Sequence, residues 1–142
     1  MSGILTPEVL VLGAGGTVGF GVVGALLEAG SPVLALGRDG MRMQALAEHF
    51  ADEPALELMT SDGISTDAAA ANLVTQLRTR KRPLRAVFAS LASPLESGRL
   101  LDRPAEFLGE KLQLDLIPHL AAARHLIPLL AEHDGTANYI LM

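Results

Sequence analysis

The sequence contains no cysteine and no tryptophan, and aromatic residues make up only 4% of it. Without cysteine the chain has no disulfide, no thiolate nucleophile and no cysteine-ligated zinc site. Its four histidines show neither an HExxH motif nor i, i+4 spacing, so no metal site is predicted. The core has to be aliphatic, and the lack of cysteine fits the reducing cytoplasm, where we expect the protein to work.

Positive charge is also scarce. Lys and Arg number 11 against 16 Asp and Glu, which gives a formal net charge of −5. A protein that holds a nucleic-acid backbone needs a basic surface, so nucleic acid is not an expected partner. The local basic cluster Arg78–Arg82 is interpreted as a solvated helix end that the helix dipole stabilises, with an anion site as the alternative.

No Lys or Arg precedes the first apolar run, so no secretory signal is recognised. The uncharged run Val9–Leu27 has 19 residues, which is long enough to span a bilayer. It also contains six glycines, and no basic residue anchors either end. We therefore interpret it as part of a globular fold and expect no membrane partner.

A chain of 142 residues with 49% hydrophobic and 19% charged residues is typical of one packed domain. Short apolar runs predict strands at Glu8–Gly13, Pro32–Gly37, Ala55–Met59, Leu84–Ala89 and Thr136–Met142. Apolar residues at helical spacing predict helices at Val18–Ala29, Asp39–Phe50, Ser65–Arg80 and Pro104–Glu132. Pro118 and Pro128 are expected to kink or divide the last helix, and residues 90–103 are expected to form a loop. The alternation predicts a parallel sheet with right-handed crossovers.

The stretch Gly13–Gly19, Gly-Ala-Gly-Gly-Thr-Val-Gly, lies between the first strand and the first helix. Glycines allow positive φ angles and a close approach of backbone to ligand. The helix that follows offers free amides and the positive end of its dipole, which suit a pyrophosphate. A tight turn without a ligand is the alternative. A P-loop is a poorer fit, because no Gly-Lys-Ser/Thr follows.

The spacing Gly13-x-x-Gly16-x-x-Gly19, with Gly15 in addition, resembles the short-chain dehydrogenase/reductase family, most of all its extended and atypical branches. The resemblance covers nearly all of the chain but only the first half or so of that family's length. It implies an α/β fold: a Rossmann-like, doubly wound parallel sheet of about five strands in the order 3-2-1-4-5, with helices on both faces. It also implies one NAD(P)-binding domain over residues 1–142. The pyrophosphate would lie on Gly13, Gly15, Gly16, Thr17, Val18 and Gly19.

Cofactor contacts are also predicted at three further places in the chain, which together contain five residues. Arg38 follows the second strand, where a guanidinium would pair with a 2′-phosphate, so NADP(H) is favoured over NAD(H); a surface pair with Asp39 is the alternative. The resemblance places Asp62 at the adenine amino group, with a turn or cap residue as the alternative. It places Ala89, Ser90 and Leu91 at the nicotinamide end, where small residues replace the family's asparagines.

The resemblance also shows where the family's catalytic residues are absent. Asp115 stands at the position of a conserved helical Asn of that family, and a buried or capping acid is the alternative role. In the family a catalytic Ser and a Tyr-x-x-x-Lys motif follow the fifth strand. Here Tyr139 is the only tyrosine, and both lysines, Lys81 and Lys111, precede it. The domain is therefore predicted to stop before the catalytic region.

These observations together predict the NADP(H)-binding portion of a short-chain dehydrogenase/reductase-like oxidoreductase. The intact protein would transfer hydride between the nicotinamide and a carbonyl or alcohol of a small-molecule substrate that the sequence does not identify. The alternative is a non-catalytic dinucleotide-sensing or protein-interaction module. The apolar face of helix 104–132 and the terminal strand are candidate surfaces for a homo-oligomer.

Overall fold

The computed structural model describes residues 5–61, 63–94 and 96–142. Its strands are β1 (Glu8–Leu12), β2 (Val33–Gly37), β3 (Leu56–Thr60), β4 (Leu84–Ala89) and β5 (Asn138–Leu141). Its α-helices are α1 (Thr17–Glu28), α2 (Gly40–His49), α3 (Asp67–Thr79), α4 (Ala105–Asp115) and α5 (Ile117–Leu130). All paired strands are parallel, in the order β3-β2-β1-β4-β5. The predicted α/β sheet and its strand order are confirmed.

The central strands send alternate side chains to opposite faces of the sheet, as the pleat of a strand requires. The leucines of β1 and β2 form one core with Leu73 of α3 and Leu126 of α5. The valines of the same strands form the other core with Val23 of α1 and Leu46 of α2. Every residue of β1 and β2 is buried. Helices thus cover both faces, which is why these two strands read as continuous apolar runs.

The uncharged run Val9–Leu27 folds into most of β1, a glycine turn and most of α1. Helix α1 has 12 residues, so the run does not form one long helix. Among the described residues, no helix is long and apolar enough to cross a membrane.

The region predicted as one helix over residues 104–132 is divided into α4 and α5 at Leu116. Pro118 lies in the first turn of α5, where a missing amide proton costs no intrahelical hydrogen bond. Helix α5 continues through Pro128, so this proline does not divide it, and a kink there stays a prediction. Among the described residues of the predicted loop 90–103, Leu100–Asp102 form a 3-10 turn.

The interpretation of the basic cluster Arg78–Arg82 as a solvated helix end is wrong for Arg80. The Glu8 side chain, at the start of β1, is 2% exposed, and Arg80 Nη1 lies 3.1 Å from its Oε1. Arg80 Nη2 donates to Glu57 Oε2 at 2.6 Å, and Arg82 Nε lies 3.8 Å from Glu8 Oε2. A buried carboxylate requires such partners. Burial raises the pKa of Glu8, and the charges of Arg80 and Arg82 oppose that rise.

We expect Arg80→Leu to lower the free energy of unfolding by about 3 kcal/mol near pH 7, because it leaves a buried carboxylate with only Arg82 nearby. The pKa of Glu8 in the folded state already lies above its unfolded value of 4.5, and loss of Arg80 raises it further. In Arg80→Leu the folded state therefore disfavours the ionised form of Glu8 more strongly than the wild-type folded state does. The loss of unfolding free energy then grows as the pH rises and Glu8 ionises. Urea unfolding from about pH 4.5 to about pH 8 should show a deficit that grows with pH.

Arg78→Leu is the matched control. Arg78 pairs with Glu132, but their side chains are 54% and 52% exposed, so we expect a loss below about 1 kcal/mol. Equal losses for the two variants, or a deficit of Arg80→Leu that does not change with pH, would contradict this account of the Glu8 environment.

Candidate functional site

The turn that joins β1 to α1 lies at the carboxyl end of the parallel sheet. Gly13, directly after β1, has a φ of 76°, a conformation that favours glycine. The amides of Gly13 and Ala14 both donate to the Leu36 carbonyl, at 3.0 and 3.1 Å. The Gly16 amide donates to the Gly13 carbonyl at 3.0 Å. These bonds hold the turn against the end of β2.

Helix α1 rests directly on the backbone of this turn. A Cβ on Gly19 would lie 2.1 Å from the Gly13 carbonyl oxygen and 2.8 Å from Ala14 Cα, so a side chain has no room there. A Cβ on Gly13 would lie 2.0 Å from the Ser90 carbonyl oxygen, which follows β4. Glycine at these two positions brings α1, the turn and the end of β4 into backbone contact.

The amino terminus of α1 is open. Its N-cap residue, Gly16, provides no side-chain cap, and the Phe20 amide makes the first bond, to the Gly16 carbonyl at 2.8 Å. Within the described ranges the structure contains no acceptor for the amides of Gly15, Thr17, Val18 and Gly19. Thr17 and Val18 are exposed, so the start of the helix faces solvent. Unpaired amides and the helix dipole together favour an anion here.

Arg38 follows β2 at the same edge, and its side chain is exposed. The alternative pairing with Asp39 is not observed. Asp39 instead caps α2 by accepting from the amides of Met41 and Arg42, and its carboxylate lies 3.5 Å from Arg42 Nε. Among the described residues Arg38 forms no ion pair, which leaves its guanidinium open to a ligand.

A cavity of about 320 Å³ adjoins Arg38 between the end of β3 and helix α3. Its polar lining includes Thr60, Ser61, Asn72 and Gln76. The sequence analysis did not identify Asn72 or Gln76; their one signal is i, i+4 spacing on α3. Asp62, the predicted adenine residue, lies outside the described residues.

The predicted nicotinamide-end residues lie on the other side of β1. Ala89 ends β4 and is buried, and the Ser90 amide donates to the Leu12 carbonyl at 3.1 Å. Leu91 packs against the core that the leucines of β1 and β2 form. The structure therefore brings Ala89, Ser90 and the glycine turn together at one edge of the sheet.

A polar cluster that the sequence analysis missed lies just beyond these residues. Asp115, the last residue of α4, accepts a hydrogen bond from the Ser93 amide at 2.6 Å, and its Oδ2 lies 3.2 Å from Lys111 Nζ. Lys111 Nζ also donates to Ser93 Oγ. The Ser93 amide bond is the largest influence that lowers the pKa of Asp115. Asp115 thus binds the loop after β4, and only the i, i+4 spacing of Lys111 and Asp115 pointed to a pair.

Tyr139 lacks the lowered pKa that a proton-transferring tyrosine needs. Its hydroxyl is buried and has no partner among the described residues. Burial raises the pKa of Tyr139 to about 12. A tyrosine that gives and takes a proton near neutral pH needs a lowered pKa, so this one does not supply that step.

No protein-family model and no curated protein sequence matches the chain. Solved structures do resemble it. A short-chain dehydrogenase/reductase from Mycobacterium ulcerans gives a TM-score of 0.80 at 18% identity, over 97% of this chain and 51% of that one. The Pseudomonas aeruginosa RhlG/NADP active-site complex gives a TM-score of 0.79 at 22% identity, over 97% of this chain and 54% of that one. A short-chain dehydrogenase from Shigella flexneri in complex with NADP gives a TM-score of 0.79 at 16% identity, over 96% of this chain and 59% of that one.

The chain therefore spans about half the length of the solved proteins to which it is similar. Those proteins share its Rossmann-like fold, and the predicted resemblance to short-chain dehydrogenases/reductases is confirmed at the level of the fold.

We expect Gly19→Ala to lower the free energy of unfolding by about 2 kcal/mol, because its Cβ would overlap the backbone of the turn. Gly21→Ala is the matched control in the same helix, since nothing lies within 4 Å of its Cβ position. That variant should gain about 0.5–1 kcal/mol from helix propensity. Urea unfolding followed by circular dichroism measures both, and a stabilised Gly19→Ala would refute the close contact.

Proposed function

We propose that this chain binds NADP(H) and is the dinucleotide-binding part of a short-chain dehydrogenase/reductase-like oxidoreductase. The observation that carries the proposal is the open amino terminus of α1, held at the sheet edge by the contact of Gly19 with the Gly13 carbonyl. Unpaired backbone amides on a fixed helix end suit a pyrophosphate. The ligand would cross the sheet edge above β1, where the chain connections to β2 and β4 diverge.

The preference for NADP(H) over NAD(H) rests on Arg38. Its guanidinium lies at the end of β2, beside the cavity that Thr60, Ser61 and Asn72 line. A planar guanidinium binds a phosphate through paired, charge-assisted hydrogen bonds. Two of the similar solved structures are complexes with NADP, which is consistent with this choice.

The chemistry of an intact enzyme would come from the cofactor. A bound nicotinamide supplies or accepts a hydride against a carbonyl or alcohol. Ala89, Ser90 and Leu91 would line its nicotinamide end, and Asp62 stays the predicted adenine residue. A non-catalytic sensor or interaction module would use the same binding residues without hydride transfer, and it stays the alternative prediction.

Calorimetric titration of the chain with NADPH and NADH tests this assignment. We expect NADPH to bind more tightly, and Arg38→Ala to weaken NADPH binding about tenfold or more while NADH binding changes little, because only NADPH carries the 2′-phosphate. Arg99→Ala removes another exposed arginine, which pairs with Asp102, and should leave both affinities unchanged. Absence of NADPH binding to the wild-type chain, or an equal loss in both arginine variants, would refute the proposal.

We also propose that the chain self-associates through β5. This strand pairs with β4 on one side, and its other edge has no partner among the described residues. Ile140 and Leu141 are 45% and 57% exposed beside that edge. An apolar, unpaired strand edge favours pairing with a second chain.

Light scattering at micromolar concentration should therefore find a dimer of the 142-residue chain. Ile140→Lys should shift it to monomer, because a charge on an edge strand opposes strand pairing. Leu101→Lys, at an apolar position that is 87% exposed in the loop between β4 and α4, is the control and should not dissociate it. A monomeric wild-type chain would contradict this proposal.

A further inference from the structure

We infer that Lys111, held by Asp115 and Ser93, is a cofactor-binding residue that contacts the ribose hydroxyls at the nicotinamide end of the bound dinucleotide. The inference rests on the proposed function and deepens it, because it assigns a role to a polar cluster that neither the glycine turn nor Arg38 explains. The cluster consists of Lys111, Asp115 and Ser93, and it is called the lysine cluster below.

The lysine cluster lies on the side of the glycine turn that faces away from Arg38. In the sheet, β2 and β4 flank β1 on opposite sides. Arg38 follows β2, and Ser93 is in the segment that follows β4. A dinucleotide with its pyrophosphate above β1 and its 2′-phosphate at Arg38 therefore extends its other half over the end of β4.

The distance along the chain also suits that placement. The Ser90 carbonyl packs against Gly13, and Ser93 is three residues further on. Three residues span at most about 10 Å, so the lysine cluster lies within reach of the ligand half that continues from the turn. Lys111 Nζ donates to Ser93 Oγ, which places the ammonium at the end of this short segment.

The chemistry of the cluster suits a neutral diol better than an anion. The Lys111 ammonium lies 3.2 Å from Asp115 Oδ2, so its charge is balanced. An ammonium carries three donor hydrogens, and the contacts with Asp115 and Ser93 engage two of them. The third donor and the second lone pairs of Asp115 are left for a group that both donates and accepts, as paired ribose hydroxyls do.

The partial burial of the lysine cluster indicates that its side chains are held in place. The side chains of Lys111 and Asp115 are 25% and 35% exposed, so they are accessible without being freely solvated. The hydrogen bond from the Ser93 amide fixes Asp115 against the loop after β4. The lysine is therefore held between α4 and that loop before any ligand binds, which reduces the entropy lost on binding.

A purely structural role for the lysine cluster predicts a different pattern of binding. If the cluster only ties α4 to the loop, its loss should affect all ligands of the site to a similar extent. A ribose contact affects only ligands that contain the nicotinamide half. The ligands NADPH and 2′,5′-ADP separate these cases, because the second consists of the adenosine end with its 2′-phosphate alone.

The test is calorimetric titration of both ligands into the wild-type chain and into Lys111→Met, with thermal melting to check the fold. We expect NADPH to bind about tenfold more weakly to Lys111→Met and 2′,5′-ADP to bind unchanged. Lys81→Met is the matched control, since Lys81 is the only other lysine and lines a separate cavity of about 390 Å³ with Leu84 and His133. It should alter neither affinity, whereas Arg38→Ala should weaken both.

Two further variants keep the inference open to refutation. Lys111→Arg retains the charge and should recover most of the NADPH affinity. Ser93→Ala serves as the test if Lys111→Met does not fold, because it removes only the hydroxyl contact. It should weaken the binding of NADPH and leave the binding of 2′,5′-ADP unchanged. If the variants of the lysine cluster weaken the binding of NADPH and 2′,5′-ADP equally, or weaken neither, the inference is overturned while the proposed function stands. A wild-type chain that binds neither ligand overturns both.

Discussion

Helix α1 touches the backbone of the turn from which it emerges, and no side chain separates them. The Gly13 carbonyl occupies the space that a Cβ of residue 19 would need. This contact sets how closely the helix approaches the sheet and therefore where its amino terminus lies. The two amide bonds to the Leu36 carbonyl and the packing of Ser90 on Gly13 depend on the same approach. The candidate binding site is thus a consequence of one steric constraint on two glycines.

The sheet supplies a rigid base for this site. Every residue of β1 and β2 is buried between two helical layers, with leucines toward one layer and mainly valines toward the other. The charged groups divide between its two ends. At the amino ends of the strands, Glu8 and Arg80 form a largely buried ion pair. At the carboxyl ends, Arg38 and the lysine cluster remain partly accessible, so the groups available to a ligand lie where the loops are.

Most elements could be predicted from apolar spacing, and the deviations have physical causes. Pro128 does not end α5 because it lies on the exposed side of the helix, next to Arg124, which is exposed too. Water can bond the carbonyl that a proline leaves without a donor, so the helix continues there. Leu116 separates α4 from α5 two residues before Pro118. Pro118 has no amide proton to donate to the carbonyl four residues earlier, so a continuous helix would lack that hydrogen bond. Burial of Arg80 could not be predicted, since its partner Glu8 is 72 residues away.

The order of strands and helices, the glycine spacing and the arginine after β2 follow from the sequence alone, because each depends on neighbouring residues and on the period of the backbone. The absence of cysteine and the negative charge likewise excluded whole classes of site without any structure. The pairing of Glu8 with Arg80, the cavity beside Arg38 and the lysine cluster emerged only on folding. Each joins side chains from separate elements, and the distance between such groups is a property of the packed sheet and helices, on which local periodicity carries no information.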